Sequence, residues 1–280
     1  YGFSQVNSEH CRHKIFNGKF IIDGIEKKES LFSLIKNTSK ANKNGIVSAY
    51  SDNVAFIKGP NIVQFQPKFS DKSSFYINKE INSKVIRYFK SIQKENIDGI
   101  NNLTPSYNKL IISFDLRKKN FQTIKKLIEN LNITNDDELE TNRIKIPVCC
   151  DENFSLDIKR LEEKLQITRD KIYEKFFNKE FFCYMTGFIA GMPFLGDIHE
   201  SIRVDRLQTP RVKVPKGSIG ITEQFCNIYT FESPGGWNII GNTPLKVFDK
   251  LNLNDPSLIK PGDKVSFYKI SKQEYLNWNE

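Results

Sequence analysis

Between residues 181 and 249, short apolar segments alternate with tight turns: FFCYMTGFIAGMPFLGD, TPRVKVPKGSIGITEQF and YTFESPGGWNIIGNTPLKVFD. Glycine permits positive φ and close backbone approach, and proline fixes φ while removing a donor. Punctuation this dense leaves no room for long helices. It predicts a β-barrel, with the preceding segments as support.

Within that stretch, each turn admits a structural and a chemical reading. GFIAGMPFLGD carries Gly187, Gly191, Pro193 and Gly196; it either turns a barrel corner or offers backbone N–H groups to an anionic or carbonyl oxygen. RVKV, if extended, sends Val212 and Val214 one way and Arg211 and Lys213 the other. The forked guanidinium of Arg211 suits a planar carboxylate. Pro215 and Gly217 form a turn before Ser218. Ser218 lies in no G-x-S-x-G elbow, so it reads as a ligand-binding group rather than a nucleophile. Pro234-Gly235 suits the centre of a type II turn, and Gly236 leaves room beside Trp237. The result is a hairpin anchored by an indole, or a glycine platform flanked by Glu232 and Ser233 beneath a flat ligand. Pro261-Gly262-Asp263 marks a last turn before the strand KVSFYKI.

Upstream, the period changes. INSKVIRYFKSIQKE places Ile81, Val85, Ile86 and Phe89 on one helical face, and FQTIKKLIENLNI repeats that spacing. Two strands around Thr104-Pro105-Ser106 lie between them, which predicts helices packed on one side of an antiparallel sheet. NDDELE at 135–140 reads as an exposed connection, and RIKIPVCC as a strand. Two helices follow, N-capped by Ser155 and Thr168, and EFFCYMTGF reads as a buried strand. Nearer the start, KESLFSLIKNT has helical spacing with Ser30 as its cap, and strands are expected near Val47 and Val54. Pro67 to Ser74 reads as a junction.

The net charge of +9 is spread along the chain among Asn and Ile, with no accompanying nucleic-acid motif. Five cysteines and no secretion signal predict reduced thiols. No apolar run reaches membrane-spanning length, so a cytoplasmic protein is expected. Tyr1 opens the sequence and the first methionine is Met185, which reads as a missing amino end. His10, Cys11 and His13 lack a second spaced ligand pair, so no metal is expected.

Two resemblances sharpen this picture. NSEHCRHKIFN at 7–17, LFSLIKNT at 31–38 and VSAYSDNVAFIKG at 47–59 resemble phosphoribosylformylglycinamidine synthase. His10 would be its active-site histidine, but the remaining purine-synthesis apparatus does not follow, which makes 1–66 an orphan segment. From about Lys79 to Ile270 the chain resembles the carboxyltransferase-domain family that includes the 5-oxoprolinase B subunit, allophanate hydrolase subunit 1 and the sporulation kinase inhibitors. NLTPSYNKLIISFD, IPVCC, GFIAGMPFLG, TPRVKVPKGSIGI, ESPGGWNIIGNTPLKVFD and IKPGDKVSF carry that resemblance. Two loops depart from it: Ala190 and Met192 replace a proline and an aromatic, and TEQFCNIYT replaces a Gly-Gln-Thr-Gly-like approach.

The resemblance implies an α+β fold: a junction at 67–78, a small α+β domain at 79–142 and a cyclophilin-like barrel at 143–272. It implies the B subunit of an ATP-dependent 5-oxoprolinase that opens 5-oxoproline to glutamate with the A and C subunits. ATP would be bound by the complex, since this chain has no Walker motif. Arg211, Ser218, Glu232 and Ser233 are the candidate catalytic residues. Gly187, Gly191, Pro215, Gly217, Gly235, Gly236 and Trp237 are the candidate substrate-binding residues. The alternatives are the carboxyltransferase half of urea carboxylase and a non-catalytic histidine-kinase inhibitor. Purine synthesis by the first residues ranks last.

Overall fold

The computed structural model describes residues 77–131, 133 and 141–279, and before them the backbone pairing of six short strands. His10, the helix expected at 31–38, residues 68–76 of the junction and the acidic run at 135–140 lie outside the described residues. Strands β1 (His13–Phe16), β2 (Lys19–Ile22) and β3 (Ile25–Lys27) form one antiparallel sheet. Strands β4 (Val47–Ser51), β5 (Val54–Lys58) and β6 (Ile62–Pro67) pair in succession. The last of these continues antiparallel onto β8 (Leu110–Phe114), giving the order β4-β5-β6-β8-β7 with β7 at Ile100–Pro105.

Two helices cover the β7–β8 hairpin. In α1 (Lys79–Glu95) the Asn78 side chain accepts from the Ile81 N–H at 2.8 Å, and the apolar spacing buries Ile81, Val85, Ile86 and Ile92. In α2 (Phe121–Asn130), capped by Asn120, Phe121, Ile124 and Ile128 pack with Val85, Leu110, Ile112 and Phe114. The hairpin turn differs from its prediction. Pro105 ends β7, where its missing donor breaks no ladder, and the Ser106 N–H donates to the Lys109 carbonyl at 2.7 Å.

The remaining strands close into a seven-stranded barrel, in the order β10-β11-β14-β13-β16-β9-β17. They are β9 (Arg143–Cys149), β10 (Glu180–Thr186), β11 (Pro193–Gly196), β13 (Ser218–Thr222), β14 (Phe225–Ile228), β16 (Asn238–Asn242) and β17 (Lys264–Ile270). Neighbouring strands run antiparallel except at the seam, where β9 and β17 pair in parallel. Ile146, Ile219, Ile221, Cys226 and Ile228 fill the interior. Helices α3 (Ile158–Leu165) and α4 (Arg169–Phe177) pack against it, and Phe176 lies 5.1 Å from Phe181 and 4.9 Å from Phe267 between ring centroids.

Helix α3 starts later than its predicted cap. Ser155 is buried instead; its Oγ donates to the Ile240 carbonyl at 3.0 Å and accepts from the Tyr173 hydroxyl at 2.9 Å. The N-cap is Asp157. A short helix α5 (Lys272–Leu276) follows the barrel, with a capping box between Ser271 and Glu274. Among the described residues no helix is long and apolar enough to cross a membrane.

The barrel also has a packed outer wall. Ile86 of α1 meets Phe182, Tyr184, Phe225 and Trp237 there. The Asn82 amide lies within 3.0 Å of the carbonyls of Ser106, Tyr107 and Tyr184, tying α1 and the hairpin to the barrel. Over another part of the wall lies a two-stranded ribbon, β12 (Arg211–Val214) with β15 (Ser233–Gly235). Its register breaks between Arg211 and Val214, so the expected alternation fails: Val214 is buried but Val212 is 79% exposed. Removing the Phe176 ring should open a void in the interior core. Phe176→Ala is expected to lower unfolding free energy by about 3–5 kcal/mol, measured by denaturant titration.

Candidate ligand site on the outer wall

Alternation along β14 sends Cys226 and Ile228 into the barrel. Phe225, Asn227 and, one step past the strand, Tyr229 go to the outer wall. Asn227 pairs across β11 with Phe194 and across β13 with Gly220. A Cβ at residue 220 would lie 2.6 Å from Asn227 Oδ1, 3.0 Å from Trp237 Cβ and 3.2 Å from Tyr229 Cε2. The glycine therefore lets these three side chains converge over one point of the sheet.

The ribbon brings the second half of the site. At residue 235 a Cβ would lie 2.8 Å from Tyr229 Cζ, so that glycine serves close approach rather than a turn. The predicted type II turn at Pro234-Gly235 is replaced by strand β15, with Gly235 opposite Arg211. Arg211 Nη2 donates to Asp157 Oδ1 at 2.6 Å, and Asp157 Oδ2 accepts from the Ile239 N–H at 2.6 Å. Burial pushes the Tyr229 phenol above its ordinary range, while Asn227, Arg206 and Arg211 oppose the shift.

Polar atoms without partners concentrate here. Among the described residues, buried side-chain nitrogens and oxygens lacking a hydrogen bond are Arg211 Nη1, both amide atoms of Asn227, Ser233 Oγ and, elsewhere, Asn82 Oδ1. The Asn227 amide approaches the Tyr229 phenol without reaching hydrogen-bond geometry. An unpaired buried polar group costs about 1–3 kcal/mol. Three residues in one neighbourhood carrying four such atoms make the strongest candidate for a ligand-binding site.

Of the residues singled out from the sequence, Arg211, Gly235 and Trp237 come together around Tyr229, and Ser233 pairs with Val214, which packs against Tyr229. Trp237 packs edge-on against Phe194 at 5.6 Å and serves as a wall. Gly236 lies beside it, its carbonyl accepting from the Leu207 N–H at 2.7 Å. Glu232 stands apart in an exposed pair with Lys213 at 2.9 Å. Ser218 is buried: its carbonyl accepts from the Tyr229 N–H at 2.9 Å, and its N–H donates to Pro215 at 3.2 Å. Pro215 and Gly217 form the turn that carries it, and the Gly217 N–H donates to the Tyr229 carbonyl at 2.7 Å. Gly187 and Gly191 form a corner beside the ribbon: its Ile189 and Met192 pack with Val214 and Tyr229, and its Ala190 carbonyl accepts from Thr230 Oγ1 at 2.6 Å. Gly191 takes φ +68°, and a Cβ there would lie 2.7 Å from Phe248 Cγ.

Asn227, Tyr229, Asp157 and Gly220 were not singled out from the sequence. The alternation of Phe225, Asn227 and Tyr229 is a readable signal for the first two; Asp157 gives none, because its partners are distant in sequence.

The thiols of Cys150, Cys183 and Cys226 do not suit nucleophilic work. Burial pushes Cys150 up to about 12 and raises Cys183 and Cys226 as well. A cleft of about 410 Å³ beside Cys150, Asp151, Tyr173 and Lys272 lies away from the unpaired cluster, and Lys272 pairs with Asp151 there at 3.1 Å. Among the described residues no three metal-type ligands gather. In the glycine corner the N–H groups of Gly187, Ile189 and Met192 donate to Met192, Gly187 and Ile189 carbonyls.

Residues 66–259 match the family model described as carboxyltransferase domain, subdomain C and D. The chain belongs to this carboxyltransferase-domain family. It is 30% identical over 216 residues to the 5-oxoprolinase B subunit of Bacillus subtilis (strain 168), covering 73% of this chain and 90% of that one. The solved structure of TTHA0988 superposes with a TM-score of 0.66 at 24% identity, over 75% of this chain and 40% of that one. Urea amidolyase of K. lactis gives a TM-score of 0.63 at 18% identity, over 83% of this chain and 16% of that one. These two likenesses establish a shared fold. The chain spans less than half the length of either solved chain.

The ribbon glycines supply a stability test. Gly235→Ala is expected to cost about 1–3 kcal/mol through overlap with Tyr229. Gly236→Ala, whose added Cβ would have 3.5 Å to Pro210, should fall within about 1 kcal/mol of wild type. Equal denaturation midpoints for the two variants would remove the close-approach argument.

Proposed function

We propose that this chain is the B subunit of a cytoplasmic, multi-subunit 5-oxoprolinase. Working with the A and C subunits, it takes part in opening the lactam of 5-oxoproline to glutamate at the expense of ATP. The unpaired cluster of Arg211, Asn227 and Ser233 carries this reading, in a chain whose Bacillus subtilis relative bears the name of that subunit.

The residues fit recognition of a small planar acid. Arg211 is held by Asp157 through Nη2, which leaves Nη1 to bind one oxygen of the substrate carboxylate. Ser233 Oγ offers a further hydrogen bond, and Trp237 and Tyr229 wall the ring. A lactam carbonyl is a weak electrophile, so its activation needs a phosphoryl donor. This chain carries no Walker motif, and nucleotide binding is assigned to a partner chain.

Cleavage of 5-oxoproline with ATP should be seen when this chain is combined with the A and C subunits. Turnover no greater than that of a mixture lacking this chain would overturn the assignment. Arg211→Lys retains a cation beside Asp157 but loses the fork. It is expected to weaken 5-oxoproline binding about tenfold, or about 1.4 kcal/mol. Full affinity in that variant would remove Arg211 from the site.

A further inference from the structure

We infer that Asn227 is the specificity-determining residue of this site, and that it reads the amide edge of a ring lactam. The inference rests on the assignment of a 5-oxoproline site. Its basis is geometric. Asn227 is wholly buried, and although the Tyr229 phenol lies beside it neither amide atom completes a hydrogen bond, while the side chain has donors and an acceptor to satisfy. Its backbone is held between two strands, by Phe194 on β11 and Gly220 on β13, so the amide is fixed in place. The neighbouring residue 220 carries no side chain, and one there would press on Asn227 Oδ1.

A carboxamide presents an N–H donor and a carbonyl acceptor side by side. Its complement is an acceptor and a donor side by side. A ring lactam offers that pair, because the ring forces its C=O and N–H onto one edge. A carboxylate offers only acceptors and would meet Asn227 Oδ1 with repulsion. Arg211 has the opposite preference. The two residues therefore orient a molecule whose carboxylate stands on the carbon next to a neutral amide edge, and reject one that enters reversed. Access requires the β12–β15 ribbon to part from the wall, since Val214 packs with Tyr229 beneath it. Both strands of that ribbon are short, and its register is already broken between Arg211 and Val214.

The test is calorimetric binding to the full chain of two ligands, 5-oxoproline and 3-oxocyclopentane-1-carboxylate. The second keeps the shape, carbonyl and carboxylate but has CH₂ in place of the lactam N–H. Wild type is expected to prefer 5-oxoproline at least tenfold. Asn227→Ala should reduce that preference to within twofold, and Asn227→Asp should weaken 5-oxoproline at least tenfold. Equal affinity of wild type for the two ligands overturns the inference, and needs no variant to fold. Unchanged 5-oxoproline affinity in Asn227→Ala also overturns it, and would mean that a bound water alone satisfies the amide. Wild type that binds the ketone and the lactam equally, and still supports turnover with its partners, leaves the parent assignment standing. No saturable binding of either ligand by wild type overturns the inference, and turnover in the mixture with the A and C subunits then decides the parent assignment separately.

Discussion

Asp157 holds three pieces of this molecule in one place. It stands at the N-cap of α3, and its carboxylate accepts the Ile239 N–H of β16 and binds the Arg211 guanidinium of the ribbon. Its own N–H donates back to the Ile239 carbonyl at 3.0 Å. Only 5% of the side chain is exposed, so the charge is stable there only because both oxygens are occupied. The same contacts fix where Arg211 can point. One guanidinium nitrogen is held by the carboxylate, and the other is left over the outer wall.

That wall is the unusual part of the fold. A small barrel ordinarily presents a polar outside to water, yet here the outer face carries Phe182, Tyr184, Phe225 and Trp237 and is covered by helix, hairpin and ribbon. The barrel thus has two apolar faces, and strands such as β13 and β14 are buried throughout. A polar residue in such a layer has no route to bulk water. Asn227 stands in that position, in the middle of β14.

Much of this was legible in residue order. Periodicity located α1, α2, β10 and β17, and the family motifs located the barrel, because these elements obey local rules of spacing and turn chemistry. The ribbon was not legible in its details. Pro234-Gly235 has the composition of a turn but is drawn into a strand by pairing with Arg211 and Val214. Ser155 has the composition of a cap but is drawn into the core by Ile240 and Tyr173. In both, a contact remote in sequence overrides a local preference. The site divides along the same line: Arg211 and Ser233 stand in recognisable motifs, whereas Asp157 and Asn227 acquire their meaning from neighbours that only the fold supplies.

The parallel seam between β9 and β17 sets the order in which the molecule can be made. These are the first and last strands of the barrel, so the cylinder stays an open sheet until β17 leaves the ribosome. Until then β9 and β10 each keep an edge that β17 will later occupy. Contacts so distant in sequence form slowly, and bare edges invite pairing with other chains. A nascent chain halted before residue 264 would therefore be the most aggregation-prone form of this protein, which makes the arrival of β17, well after the unpaired polar cluster in sequence, the step that commits the barrel to closure.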